Sequence, residues 1–352
     1  MFFGWFTMKS FTGSDYFAHR QIVWIFISFV VLFISSQLDW RFLKRPWILL
    51  ILYILGNILL LVLFAAGRVK GAQSWFNLGI FAIEPADFMN LLLVIILAKY
   101  FSRRHIEIAN IRHIIVSGLY ILIPFLLILV QPNFGSAMIS VAIWLGMVLV
   151  SGISKKHLLI VFGLATASFL ILWLFVFQQY QKNRIINFLD PMRDIKGSGY
   201  NAFQSQIAVG SGQFLGKGVG FGTQSRLKFL PEYETDFIFA AFAEEWGFVG
   251  VIILLICFSI ILWRILAISY LGATNFEVLF GMGLVIFFVT HIIVNLGMNI
   301  GLLPVTGITV PFMSYGGSHL LTEFIGLGIL MSTKKYARAA HRDDMKNEFL
   351  GI

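Results

Sequence analysis

The residues best suited to chemistry lie between positions 181 and 245. Asp236 follows Pro231 and Thr235 where a polar stretch gives way to an apolar run, and Glu244 and Glu245 come two helical turns later. An ionised carboxylate at such a boundary, beside basic residues, can accept a proton from a hydroxyl nucleophile. Pro231 and Thr235 are helix-start signals, with Thr235 a candidate N-cap. Asp236 would then sit in the first turn, where the helix dipole favours a carboxylate by roughly 0.3–1 kcal/mol. A purely structural role is therefore the competing account. Acids inside an apolar run cost roughly 2.5–3.5 kcal/mol at a helix centre. Glu244 and Glu245 are expected to face a cavity or a partner.

The stretch before Asp236 is basic and rich in glycine. Arg184, Arg193, Arg226 and Lys228 lie along it, Gln206 sits in its middle, and Lys217 stands among Gly216, Gly218, Gly220 and Gly222. Successive glycines free the backbone to present N–H groups to an anion, and lysine adds a point charge. No Gly-x-x-x-x-Gly-Lys-Ser/Thr occurs, so this is not a P-loop. A flexible connector is the plain alternative.

Two further places carry polar groups among apolar ones. Gly71-Ala72-Gln73-Ser74-Trp75 leads to Glu84-Pro85-Ala86-Asp87; Trp75 is most simply an interfacial aromatic anchor. Gly301 to Gly307, with Pro304 between them, runs through Pro311 to Ser314-Tyr315-Gly316-Gly317-Ser318. Prolines and glycines at membrane depth imply broken or re-entrant backbone, tolerated only inside protein or beside a wet cavity. His291 and His319 flank this break, each read as a hydrogen-bonded packing residue in preference to a ligand.

These side chains must be positioned by membrane helices. Of 352 residues, 59% are hydrophobic and 12% charged, where soluble domains carry about a quarter charged. The single cysteine, Cys257, permits neither a disulfide framework nor a Cys/His metal cluster. The net charge of +9 comes from basic residues flanking apolar runs, which points to membrane lipid headgroups and away from nucleic acid. Crossing about 30 Å of hydrocarbon takes roughly 20 residues. Segments 21–37, 47–66, 83–101, 112–130, 135–152, 156–178, 236–263, 275–297 and 317–333 qualify, an all-α polytopic bundle of about nine spans. Arg41, Lys44 and Arg45; Lys99, Arg103, Arg104 and Arg112; Lys155 and Lys156; Arg264; and the tail from Lys334 mark the cytoplasmic side. The long loop, about 179–235, then faces outward, and the C-terminal tail, about 334–352, lies inside. Residues 1–352 read as a single membrane domain. Phe2-Phe3-Gly4-Trp5-Phe6 resembles the end of a longer span, so a further helix is expected upstream. An outward polar cavity with acids at its rim and a basic loop nearby suits a lipid-linked phosphate or diphosphate.

At these residues the chain resembles the SEDS family, the group comprising RodA, FtsW and SpoVE. The resemblance rests on Phe188-Leu189-Asp190-Pro191, Gln204-Ser205, Gly216-Lys217-Gly218 through Gln224-Ser225, Leu230-Pro231-Glu232 with Thr235 to Phe239, Glu244-Glu245, and Asn299-Ile300-Gly301 to Gly317. Pro304-Val305-Thr306-Gly307 and Gly71 to Trp75 look more like the elongation-type RodA branch than the division-type FtsW branch. The resemblance implies a ten-helix enzyme of the bacterial cytoplasmic membrane that joins lipid II disaccharides into glycan strands. It implies Asp236 as the general base for the acceptor hydroxyl, with undecaprenyl diphosphate leaving. Lys217, Arg184, Arg226 and Lys228 would contact the diphosphate. Gln206, Trp75, Glu244, Glu245, Ser314 and Gly316 join the substrate-binding set, and Gly216, Gly218, Gly220 and Pro231 shape the loop. It further implies a class B penicillin-binding protein as partner and a divalent metal, magnesium or manganese, at the leaving group, with no organic cofactor. The chain departs from the family pattern at Asp87, Asn90, Asn133 and His319. A lipid-precursor flippase and a non-catalytic scaffold for the crosslinking partner are the other readings.

Overall fold

The computed structural model describes residues 1–10, 16–65, 74–77, 82–102, 111–190 and 199–350. Gly71, Ala72, Gln73, Arg103, Arg104, Pro191, Arg193, Gly197 and Ser198 lie outside the described residues. The chain is helical almost throughout. In order come α1 (Phe2–Ser10), α2 (Tyr16–Gln37), α3 (Pro46–Val62), α4 (Pro85–Ser102), α5 (Ile111–Val130), α6 (Phe134–Val150) and α7 (Lys155–Ile171). They are followed by α8 (Gln179–Leu189), α9 (Tyr200–Ser211), the single turn α10 (Thr223–Arg226), α11 (Ile238–Tyr270), α12 (Asn275–Asn299) and α13 (Gly317–Leu350). A two-residue antiparallel pair, β1 (Phe76–Asn77) and β2 (Ala82–Ile83), precedes α4.

Each of the nine expected spans coincides with a helix. Among the described residues, seven helices are long and apolar enough to cross a membrane; α6 is apolar but shorter, at 17 residues. The exposure pattern is that of a protein in lipid: Phe26, Phe33, Leu159, Leu164 and Phe175 are exposed, whereas Gln21, Asn90, Ser140 and Glu323 are buried. With hydrocarbon as solvent, apolar side chains gain nothing by facing inward, and polar ones must find partners inside the protein.

The residues form two compact units. One comprises Met1–Val23, Ile153–Ser259 and Val289–Gly316; the other comprises Trp24–Gly152, Ile260–Phe288 and Gly317–Ile352. The first packs Met8, Ile238, Phe239, Phe242, Val310 and Met313 together, with the Phe3 ring 5.4 Å from that of Phe242. The second buries Leu93, Leu97, Phe101, Met147, Phe280 and Phe287. Its helices approach closely through small residues. A Cβ at Gly283 would collide with Val94 and one at Gly146 with Ile286, the small-residue packing that membrane helices use.

Three local structures differ from expectation. The 179–235 segment is not one open loop, because α8, α9 and α10 occupy much of it. The helix after it begins at Ile238, so Asp236 precedes the first turn, and the Thr235 hydroxyl turns back to the Glu232 carbonyl instead of capping forward. The third is a break within α11 at Gly247 (φ 63°, ψ −166°), a region of backbone space that is essentially glycine-only. The irregular segment expected near the end is present: Ile300 to Gly316 runs without regular structure between α12 and α13.

Candidate functional site

In the first unit, Asp236 is held by its main chain. Asn295 and Asn299 lie one turn apart on α12, and both donate to the Asp236 carbonyl, at 2.9 and 3.1 Å. Asn295 also donates to the Ile308 carbonyl at 2.6 Å, and the Ser205 hydroxyl of α9 donates to Asn299. Both asparagines are fully buried, which makes these bonds expensive to lose. From the irregular segment, Ser314 donates to the Thr235 carbonyl at 2.7 Å and the Tyr315 N–H to the Glu234 carbonyl at 2.8 Å. Residues 234–236 are therefore clasped from two directions.

The Asp236 side chain itself is half-buried. Its Oδ2 faces Gly307 so closely that a Cβ there would lie 3.4 Å away. Gly307 has φ +74°, a turn conformation that favours glycine. Arg184 on α8 donates to the neighbouring Thr306 carbonyl at 3.3 Å. The structure thus places Asp236 and Arg184 about the same two-residue turn, an acid and a cation that sequence separates widely. Burial, with Glu234 alongside, holds the Tyr233 phenol above its usual value.

The glycine repeat has a different architecture from an anion-binding loop open to solvent. It is spliced into the break in α11. The half-helix ending at Trp246 offers the carbonyls of Glu244 and Glu245, which accept from the N–H groups of Lys217 and Gly218, both at 3.0 Å. The half-helix beginning at Phe248 offers the N–H groups of Phe248 and Val249, which donate to the carbonyls of Gln213 and Phe214 at 2.9 and 3.1 Å. Four backbone groups that a break would orphan are satisfied by one passing strand of chain. The contact is backbone on backbone. A Cβ at Gly212 would strike the Ala243 carbonyl, one at Gly216 the Glu245 carbonyl, and one at Gly247 the Gly216 nitrogen.

The loop does cradle anions, but they are the protein's own. Glu244 Oε1 accepts from Lys217 Nζ at 2.7 Å, Thr223 Oγ1 at 3.1 Å and the Gln224 N–H at 3.1 Å. Glu245 Oε1 accepts from the Gly220 N–H and from Ser10 at the end of α1. Both glutamates are at most 1% exposed, the arrangement that buried carboxylates require. Of the other expected site residues, Gln206 packs against Gly301, Pro231 opens the turn before Asp236, and Gly316 ends the irregular segment. Arg226 and Lys228 are exposed. Trp75 belongs to the second unit.

That second unit holds its own buried polar cluster. His319 lies with Nδ1 3.3 Å from Asp87 and Nε2 3.0 Å from Glu323, and Ser318 donates to Asp87 at 3.0 Å. Both imidazole nitrogens face carboxylate oxygens, the hydrogen-bonded packing role expected of His319. Nearby in sequence, Asn133 and Ser136 donate to Glu84 at 2.7 and 3.0 Å, and Ser140 donates to Asn90. Sequence reasoning missed Asn295, Ser10 and Glu323, and named Asn299 only within a family motif. The asparagines had a visible signal, two amides at i, i+4 in an apolar helix, where an unpartnered polar group is costly.

Comparison with known proteins places this geometry. Residues 5–339 match the FtsW, RodA and SpoVE family model, described as cell cycle protein. Stage V sporulation protein E of Bacillus subtilis is 37% identical over 335 residues, covering 93% of this chain and 89% of that protein. Peptidoglycan glycosyltransferase MrdB of Escherichia coli is 36% identical, covering 89% and 84%. Among solved structures, a peptidoglycan synthase complex that coordinates polymerization and crosslinking aligns with TM-score 0.80 at 30% identity, covering 95% of this chain and 94% of that one. The rod shape determining protein RodA of Thermus thermophilus aligns with TM-score 0.69 at 27% identity, covering 94% and 92%.

Proposed function

This chain belongs to the FtsW, RodA and SpoVE family, and from that premise we propose that its first unit polymerises lipid II with Asp236 as the general base. The chain is a multi-pass membrane peptidoglycan glycosyltransferase. In the proposed step the Asp236 carboxylate takes the proton of the acceptor sugar's 4-hydroxyl. The freed oxygen bonds to C1 of the donor, the C1–oxygen bond to phosphate breaks, and undecaprenyl diphosphate departs with the electron pair. Attack opposite the leaving group inverts the anomeric centre. The observation that carries this reading is the clasp on Asp236: two buried asparagine donors fix its main chain while its carboxylate meets a glycine. A base must be held in place relative to the hydroxyl it deprotonates.

Arg184, across the Thr306–Gly307 turn, and the exposed Arg226 and Lys228 supply positive charge for the diphosphate. Lys217 meets the same anion only at the expense of Glu244. Among the described residues, no group of three or more His, Cys, Asp or Glu side chains could hold a metal ion; the proposed magnesium or manganese would come with the diphosphate and neutralise its charge. The outward face of the cytoplasmic membrane, with the tail inside, follows from the basic loops. A class B penicillin-binding protein is the proposed partner, consistent with the synthase complex that this fold resembles. Elongation of the wall is the proposed role.

The test is polymerisation of purified lipid II, with and without that partner. Wild-type protein should give long glycan products, and Asp236→Asn, nearly isosteric, should lower the rate at least about a thousandfold while binding lipid II unchanged. Equal products from the variant would remove Asp236 from the mechanism. Transbilayer movement of labelled lipid II by folded wild-type protein, without product, would replace the enzyme with a flippase.

A further inference from the structure

The splice in α11 leaves an apolar rim that the reaction does not use. Phe214 and Leu215, in the strand that fills the break, are 69% and 79% exposed, and Phe221 at the end of the glycine repeat is 66% exposed. In a loop outside the spanning helices, three such side chains in the open are costly if water surrounds them.

Their surroundings say what covers them. The carbonyls of Gln213 and Phe214 bond to the first N–H groups of the second half-helix, and the Phe214 ring lies 5.6 Å from Phe248. Phe248 begins an exposed apolar stripe that continues through Val249, Ile252, Ile253, Ile256 and Ile260, the spacing of one helix face. From Phe248 to Arg264, which marks the cytoplasmic side, the half-helix covers about 24 Å at 1.5 Å per residue, most of the hydrocarbon thickness. The break therefore sits where the span begins, and the rim is continuous with a face already turned to lipid. Farther along the same segment Leu227 and Phe229 are also exposed, further apolar surface of the kind that a membrane interface accepts.

We propose that the segment carrying Phe214, Leu215 and Phe221 is a membrane-seated anchor, its side chains inserted among the acyl chains of the bilayer leaflet. The anchor rests on no catalytic assignment. It ties the glycine loop, and through Lys217 the buried Glu244, to the level of the membrane surface.

Depth measurement tests this directly. In a Cys257→Ser background, Leu215→Cys and Phe221→Cys carry a nitroxide in nanodiscs of phosphatidylethanolamine and phosphatidylglycerol, with no partner protein and no substrate. Phe175→Cys, 82% exposed on the lipid face, and Arg41→Cys, in an exposed polar turn, are the references. Collision with oxygen should exceed collision with a nickel chelate at 215 and 221, as at 175 and opposite to 41. Nickel accessibility equal to that at 41 would overturn the proposal and leave the rim as a surface for a protein partner. Two positions guard against one label perturbing its own site.

Discussion

Lys217 shows how a residue type can suggest one chemistry and the fold assign it another. Placed among glycines, it reads as a phosphate ligand; in the structure its ammonium lies 2.7 Å from the carboxylate of Glu244, which is fully buried. A buried carboxylate deprived of its cation is strongly destabilising, whereas removing both partners together is far milder. Lys217→Met should therefore lower stability by about 3 kcal/mol, and adding Glu244→Gln should recover much of the loss. Thermal unfolding in detergent, followed by tryptophan fluorescence, would show this as a Tm that falls and then rises. A Lys217→Met protein with unchanged Tm but a raised KM for lipid II would return Lys217 to the substrate. At Asp236 the main chain is held as well, through Asn295 and Asn299, and Oδ2 faces Gly307.

At the scale of elements, the splice in α11 depends on three glycines, only one of which lies in the helix it interrupts. Gly247 occupies a glycine-only conformation and its hydrogen touches Gly216. Gly247→Ala should cost at least about 2 kcal/mol and reduce the yield of folded protein, while Gly210→Ala, with nothing near its Cβ position, should be neutral or slightly stabilising. Equal yields and melting temperatures for the two variants would remove the splice as a constraint. The contrast also marks what sequence could reveal. Apolar runs of span length announced every membrane helix, because hydrocarbon demands about 20 apolar residues in a row. The irregular 300–316 segment was announced by Pro304, Pro311 and its glycines, which cannot sustain a helix. The break at Gly247 was silent: a lone glycine in an apolar run is common in membrane helices, and the partner that makes this one a break lies in the preceding loop. The Asp236 motif was legible as local pattern, while its two asparagine donors required knowing that α12 comes alongside.

For the molecule as a whole, the arrangement of charge makes a prediction independent of any chemistry. Arg41 lies in an exposed turn flanked by basic residues, and Lys228 lies in the glycine-rich segment; the positive-inside rule puts them on opposite sides of the membrane. In Cys257→Ser protein expressed in bacteria, Lys228→Cys should react with a membrane-impermeant maleimide in cells whose outer barrier has been opened. Arg41→Cys should react only after the cytoplasmic membrane is permeabilised. Labelling of both from the same side would invalidate the topology and, with it, the outward catalytic face. Both compact units are assembled from three separated stretches of chain, so neither corresponds to a contiguous piece that could be excised.

The clasp on Asp236 has a consequence for how the protein is made. A nascent chain emerges N-terminus first, so the ribosome delivers Asp236 before Asn295, Asn299, Gly307 and Ser314, the residues that grip and flank it. Until translation passes Ser314 the proposed base exists without its setting, and a product of premature termination short of that point should stay inert. Competence arrives late in synthesis and all together, which spares the cell wall from half-built polymerases.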